Sequence, residues 1–194
     1  LIMPKLEELY NTRVRHYVVK KHTLLVCEQF EKYAFEFDNK CMNIDLMRLV
    51  LAVHDIGKAI DRSTQHEHTL SLVRELWGNA PFTEHEFNLV EVLLRDDHLG
   101  SYFQNKYDLS DLKEEIVAAA TELKMSPLTL LQYKMILYQC DIASYTKDAG
   151  GLKYLEHMFV YENEEKTFDE KNGIIAMSEE YADKYVNLKE SINE

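Results

Sequence analysis

Glycine and proline are scarce in this sequence, with 6 and 3 occurrences among 194 residues. Because these residues interrupt regular structure more strongly than any others, their scarcity favours long helices. The β-branched residues are too scattered to give the alternating pattern of a half-buried strand. The sequence therefore predicts an all-α fold rather than one built on a sheet.

Cysteine is almost as rare, and its occurrences are Cys27, Cys41 and Cys140. They lack the paired close spacing of a zinc knuckle, so each is interpreted as a small structural hydrophobe. Isolated thiols of this kind are typical of a reducing compartment, which predicts a cytoplasmic location. The sequence also has no uninterrupted apolar run of roughly 18 residues, so no membrane span is expected.

Positive charge is in short supply as well, because 22 Lys and Arg stand against 34 Asp and Glu and give a net charge of -12. A protein that binds long nucleic acid needs a basic surface to displace counterions, so long nucleic acid is not expected as a partner. A small anionic ligand remains compatible, because a metal ion and a few local cations can bind it. The sequence leaves association into a homo-oligomer open.

Apolar periodicity and capping residues divide the chain into helices. One pattern covers about residues 6–37 with an interruption near Val18, and a helix over 44–54 is apolar on nearly all sides, which predicts burial. Thr83 with Glu86 predicts a capping box, and Ser126 before Pro127 predicts another helix start. The remaining predicted helices cover about residues 67–77, 83–97, 110–124, 128–145, a short stretch ending near 161, and residues after 178.

Histidine and aspartate lie in settings where their burial needs an explanation. His54 and Asp55 follow the most apolar helix, and a buried aspartate costs several kcal/mol unless a cation or hydrogen bonds compensate. An aspartate that caps the helix end would explain this pair alone. However, His22 precedes an apolar stretch on an earlier helix, and Asp141 lies inside a late apolar helix. Two imidazoles and two carboxylates predict a divalent ion, namely Mn, Fe, Co, Ni, Mg or Zn.

These residues, in this order, resemble the HD-domain superfamily of metal-dependent phosphohydrolases. His22 matches the first histidine of the family, the central motif is matched by Val-His-Asp-Ile-Gly-Lys at 53–58, and Asp141 matches the final aspartate. The resemblance covers about residues 13–145. It implies an all-α core around the ion, and hydrolysis of a nucleotide or other small phosphate ester by metal-activated water.

On this resemblance, residues 1–161 form the HD-type helical domain. Residues 162–172 are expected to be a charged linker, and the rest of 162–194 a C-terminal helix packed on the same domain.

Lys58 marks a departure from the family. Nucleotidases and alarmone hydrolases of the superfamily often have a glutamate three residues after the aspartate of the pair, where this chain has Lys58. Gly57 is expected to let the backbone turn, so that Lys58 approaches an anion bound to the ion. Lys58 could also simply pair with Asp61 or extend into water. A catalytically silent nucleotide sensor or scaffold is therefore the alternative to an enzyme.

Further residues complete the predicted site. The substrate-binding candidates are Arg15, Arg62, His66 and His68. Arg15 lies two helical turns before His22 and shares its face if the helix is unbroken. Each of the two histidines could bind a second ion or a phosphate, or could be a solvated residue at a helix start.

The catalytic candidates are Lys58, Asp61, Asp97 and His98. Lys58 would stabilise phosphoryl charge, and one of the other three would orient the water or protonate the leaving oxygen. Carboxylates before a histidine at a helix C-terminus are unfavourable for the helix dipole, which indicates a nearby cation for Asp97 and His98. A surface turn would explain the same residues.

Overall fold

A computed structural model of the chain describes residues 2–38, 42–78, 80–151 and 154–193, and Cys41 lies outside this part. Most of the described residues are helical, which confirms the all-α fold. The α-helices are α1 (Ile2–Asn11), α2 (Val19–Lys32), α3 (Ala34–Asp38), α4 (Ile44–Val53), α5 (Gln65–Trp77), α6 (Glu84–Leu94), α7 (His98–Phe103), α8 (Leu109–Glu122), α9 (Pro127–Ala143) and α10 (Glu179–Asn193). Short 3₁₀ turns cover Ile56–Ala59 and Glu156–Met158. Among the described residues, no helix is both long enough and apolar enough to cross a membrane.

Helix α9 forms the centre of the fold, because it contacts α2, α4, α6, α7, α8 and α10. Its apolar residues lie on all sides, and Leu130, Leu131 and Ile136 are fully buried. A helix surrounded in this way needs no polar face. Any charged residue on its buried turns therefore requires a partner from a neighbouring helix.

Two helix starts are formed by the residues that predicted them. The Thr83 side chain accepts from the Glu86 backbone, and the Glu86 carboxylate accepts from the Thr83 backbone, so the capping box at α6 is confirmed. Ser126 precedes α9, which begins at Pro127, one residue before the predicted start, although the Ser126 side chain makes no capping hydrogen bond. Such local hydrogen bonds depend on residues a few positions apart, which is why the sequence reveals them.

The helical pattern over residues 6–37 is broken by a hairpin, not by a single kink. Strand β1 (Arg13–Val14) pairs with β2 (Tyr17–Val18), with Arg13 opposite Val18. Arg15 lies in the turn with φ 53°, a left-handed conformation that a helix cannot contain. The helical alignment of Arg15 with His22 is therefore wrong, because no continuous helix joins them.

The segment predicted as a charged linker is ordered into short strands. Strand β3 (Tyr161–Glu162) pairs with β4 (Glu165–Lys166), and β5 (Phe168–Asp169) pairs with β6 (Ile174–Ile175). The linker and the short helix ending near residue 161 are thus corrected, since a 3₁₀ turn and β3 occupy that place. This segment is held against the helices by Lys166, because its buried ammonium lies 2.6 Å from the Asp148 carboxylate and 3.0 Å from the Gln29 side-chain oxygen. Helix α10 packs on α8 and α9.

Candidate metal centre

Four side chains from three helices meet at one point beside α9. Nε2 of His22, on the second turn of α2, lies 3.0 Å from Oδ1 of Asp141 and 3.2 Å from Oδ2 of Asp55. Nε2 of His54 lies 3.6 Å from Oδ1 of Asp55 and 3.8 Å from Oδ1 of Asp141. His54 and Asp55 directly follow α4, so the end of this buried helix delivers both side chains to the last turn of α9.

His22, His54 and Asp141 lie close enough together to hold one ion, and Asp55 lies outside this group of three. One ligand atom each from His22, His54 and Asp141 lies within 4.8 Å of the others, and Asp55 contacts both histidines. Nε2 of His22, Nε2 of His54 and Oδ1 of Asp141 are buried without a well-formed hydrogen bond. Each unsatisfied polar atom costs about 1–3 kcal/mol. A divalent cation would satisfy all three at once, since first-row ions take ligands at about 2.0–2.3 Å.

Hydrogen bonds on the far side of each ring direct the Nε2 lone pairs to the same point. Nδ1 of His54 lies 2.7 Å from the carbonyl of Leu51, which only accepts, so Nδ1 carries the proton in the neutral ring. The Ser144 hydroxyl donates to the carbonyl of Asp141 at 2.6 Å and can accept from Nδ1 of His22 at 3.4 Å. In the neutral form of both rings the proton therefore lies on Nδ1, and the lone pair of Nε2 is free to bind a metal ion, which is the usual arrangement of metal-binding histidines.

The charges of the cluster show how the site is balanced without an ion. Burial works against a charged His22, but the close carboxylates of Asp141 and Asp55 outweigh it and raise its pKa to about 9. Burial likewise opposes ionised Asp55 and Asp141, yet the histidines hold the pKa of both carboxyls well below the usual range. A proton on His22 therefore takes the place of a cation, and a metal ion would have to displace it.

Lys58 is the nearest cation to the cluster. Its Nζ lies 2.6 Å from the Asp55 carboxylate, and its side chain is largely buried in the 3₁₀ turn after α4. Burial disfavours the ammonium, but the charges of Asp55 and Asp141 raise the pKa of Lys58 above its usual value. Lys58 thus approaches the ligands through Asp55, and it does not pair with Asp61.

Gly57 has a different role from the one predicted. Its backbone is not in the left-handed region, which the described structure assigns to Gly150 and Gly173 among the glycines. A Cβ at Gly57 would lie 2.0 Å from the Gln65 carbonyl and 2.6 Å from Oγ1 of Thr69. The glycine is therefore needed for close packing of the 3₁₀ turn on α5, which positions both Asp55 and Lys58.

The cluster lies where two cavities meet. A pocket of about 90 Å³ and a cleft of about 730 Å³ share Lys58, Asp97, Tyr138 and Asp141. The larger is called the wide cleft below. A cavity of this size suits a small-molecule ligand and not a long polymer.

The predicted substrate-binding residues separate into two groups. Arg15 and Arg62 line the wide cleft. His66 lines the small pocket, and its Nδ1 lies 2.8 Å from the carbonyl of Leu94, so its Nε2 is left as an acceptor. His68 is not among the residues that line either cavity.

Of the carboxylates predicted for proton transfer, Asp97 lies beside the centre, where it lines both cavities. Its carboxylate packs against Gly100, where a Cβ would come within 2.4 Å of it. Much of the residue is exposed, yet burial of the carboxylate, followed by the charge of Asp141, raises its pKa. Asp61 is exposed, accepts from Ser63 at 2.7 Å and lines neither cavity, because this local turn holds it.

His98 is directed to another cluster. Its Nδ1 lies 2.8 Å from Oε2 of Glu115, its ring stacks on Tyr107 at 4.4 Å, and it lines neither cavity at the centre. His98 begins α7, so a helical rotation separates it from its neighbour Asp97. The structure thus brings Asp97, and not His98, to the predicted site.

Comparison of the chain with protein-family models, with curated proteins and with solved structures finds no match. Membership of the HD-domain superfamily therefore stays a prediction from the ordered His and Asp residues.

Two tyrosines of the site were not identified from the sequence. Tyr17 donates to Oδ2 of Asp55 at 3.3 Å, and its ring centroid lies 4.9 Å from that of His22. The ring of Tyr145 stacks on that of His22, with the ring centroids 5.1 Å apart. Tyr145 follows Asp141 by one helical turn, a spacing that could have indicated it. Tyr17 belongs to the hairpin, whose pairing no local pattern indicated.

The arginines of the chain fall into those that form an ion pair with a carboxylate and those that do not. Of six in the chain, Arg48, Arg74 and Arg95 form ion pairs with carboxylates. Arg15 and Arg62 form no ion pair with any described residue, although the chain has an excess of acids. Both line the wide cleft beside the cluster. Cations without a partner in an acidic protein are available for an anionic ligand.

Proposed function

We propose that this protein is a metal-dependent phosphohydrolase that acts on a nucleotide or another small phosphate ester. The observation that carries the proposal is the juxtaposition of buried, unsatisfied ligand atoms with a cleft whose arginines are unpaired. The buried nitrogen and oxygen atoms are ligands that a divalent cation binds, and unpaired guanidinium groups are the partners that phosphate oxygens bind. Each is common alone, but Asp141 belongs to both, because it is a candidate ligand and also lines the wide cleft.

The ion would be held by His22, His54, Asp55 and Asp141. When bound, a divalent ion supplies Lewis acidity that polarises a phosphoryl oxygen and lowers the pKa of water.

The cations of the wide cleft would bind the phosphoryl group. The ammonium of Lys58 would donate to one oxygen, exchanging part of its contact with Asp55 for the substrate. The guanidinium groups of Arg15 and Arg62 would bind the remaining oxygens bidentately.

Proton transfer and substrate orientation would fall to other residues of the wide cleft. A raised pKa suits the Asp97 carboxylate to accept a proton from the attacking water. The rings of Tyr145 and Tyr154, with centroids 5.9 Å apart, offer aromatic faces on which a base could stack.

One observation favours a nucleotide sensor instead. The ion pair between Lys58 and Asp55 already neutralises one of the metal-binding carboxylates at 2.6 Å. If Lys58 keeps that contact when a nucleotide is bound, the protein would bind the ligand without turnover.

A substrate screen separates these two functions. The protein is freed of metal by a chelator, reloaded with Mn²⁺ or Co²⁺, and offered nucleoside mono-, di- and triphosphates together with p-nitrophenyl phosphate and its diester. We expect phosphate or nitrophenol release that depends on the added ion. Asp55→Asn should abolish release, whereas Asp111→Asn, the same change at an exposed position on α8, should leave it unchanged. Nucleotide binding without release under all these conditions would favour the sensor.

A further inference from the structure

A second cleft, of about 320 Å³, adjoins the wide cleft at the two tyrosines whose rings contact His22. The two clefts share His16, Tyr17 and Tyr145. We call it the side cleft, and its lining comprises Arg13, His16, Tyr17, Val18, Lys21, His22, Leu25, Ser144, Tyr145, Gly150 and Gly151.

The side cleft has cations and no carboxylates among its described lining residues. This is unusual in a chain with 34 acidic residues and a net charge of -12. Arg13 and Lys21 form no ion pair with any described residue, and Arg13 makes a hydrogen bond from Nε to the Arg15 carbonyl at 3.3 Å. Their charges are therefore not compensated within the protein.

The hairpin is what brings these two cations together. Arg13 lies opposite Val18 in the β1–β2 pair, and Lys21 follows Val18 by three residues in the first turn of α2. Lys21 also directly precedes His22, and His22 itself lines the side cleft together with both cations, so this cleft reaches the cluster. Two neighbouring like charges repel one another, and an anion between them removes that cost.

The opposite wall of the side cleft is rigidly packed. Gly151 lies so close to the Ser144 carbonyl that a Cβ would come within 2.0 Å of it. Ser144 in turn positions Nδ1 of His22. The wall is therefore fixed to the same residues that orient a metal ligand, and an anion in the side cleft would have a defined distance from the centre.

We propose that the side cleft binds a second phosphate group, so that the preferred substrate is a nucleoside that carries two separate phosphates. One phosphate lies at the metal centre, and the other lies between Arg13 and Lys21. This inference rests on the proposed function for the first phosphate, but the second contact is a binding property that can be measured without turnover.

Calorimetric titration with two nucleotides tests the second contact. Adenosine 3′,5′-bisphosphate and adenosine 5′-monophosphate are titrated into Mn²⁺-loaded protein that carries Asp97→Asn, a change that removes the proposed proton acceptor and so suppresses turnover. We expect the bisphosphate to bind at least about tenfold more tightly, the gain for added charge-assisted contacts at a partly exposed site. The double variant Arg13→Gln/Lys21→Gln should lose that preference and bind the monophosphate as before.

A matched control removes two exposed cations elsewhere. Lys124→Gln/Lys171→Gln makes the same change in net charge away from both clefts and should keep the preference for the bisphosphate. Equal affinity for the two nucleotides in the Asp97→Asn protein, or no binding of the bisphosphate, would overturn the side-cleft proposal. An equal loss in both double variants would also overturn it, because the effect would then be one of net charge. The proposed function is judged separately, by metal-dependent release in the substrate screen.

Discussion

Replacement of Lys58 by methionine should change catalysis and metal binding in opposite directions. The substitution keeps the aliphatic stem of a side chain that is largely buried and removes the ammonium 2.6 Å from Asp55. In the metal-free protein this ammonium competes with an ion for the carboxylate. In the substrate complex the same ammonium would stabilise charge on the phosphoryl group.

The two magnitudes follow from the buried ion pair. A hydrogen bond between charged groups contributes about 1.5–3 kcal/mol, so loss of the competitor should tighten metal binding roughly ten- to a hundredfold. Loss of one charge-stabilising contact in the transition state should lower kcat/KM roughly ten- to a thousandfold. The variant should therefore hold its ion more firmly and turn over more slowly.

Both quantities can be measured on one preparation. Mn²⁺ affinity is obtained by calorimetry on chelator-treated protein, and kcat/KM is measured at saturating Mn²⁺ on the best substrate of the screen. Lys124→Met, an exposed position outside the centre, provides the control and should match the wild type in both. If Lys58→Met leaves both the metal affinity and kcat/KM unchanged, Lys58 is only a loop residue and the reasoning is refuted.

Three further predictions concern protonation, burial and packing. Because a proton must leave His22, whose pKa is raised to about 9, Mn²⁺ affinity should increase by up to about tenfold for each unit by which the pH is raised toward that value. Titrations at several pH values would show the same affinity throughout if no proton is displaced. Lys166→Met leaves Asp148 without its closest partner in the interior and should lower the free energy of unfolding by about 3 kcal/mol, as measured in denaturant; a change within experimental error would show that the pair is not buried in solution. Gly57→Ala forces its turn away from α5 and should cost about 1–3 kcal/mol, whereas Gly78→Ala, with open space for the Cβ, should be nearly neutral; equal stability of the two variants would contradict the packing role.

The sequence by itself determined the fold class and pointed to the buried histidines and aspartates that the structure brings together. Helix periods, the capping box at Thr83 and the proline at the start of α9 act over a few residues, so they can be read locally. His22, His54, Asp55 and Asp141 could be selected because charged or polar groups in apolar helices need partners. That requirement is a property of each local stretch and does not depend on knowing the partner.

The tertiary structure alone decided how the rest of the site is assembled. Lys166 lies in a stretch that reads as a solvated linker, and its burial depends on Gln29 and Asp148, which are 137 and 18 residues away in the chain. The choice of Asp97 over His98 depends on the rotation at the start of α7, because one residue of difference decides whether a side chain reaches the cavities at the centre. The presence of Arg13 and Lys21 in the lining of one cleft depends on hairpin pairing within a stretch whose pattern is helical. In each case the energy comes from contacts between distant segments, and no local pattern encodes which of those contacts will form.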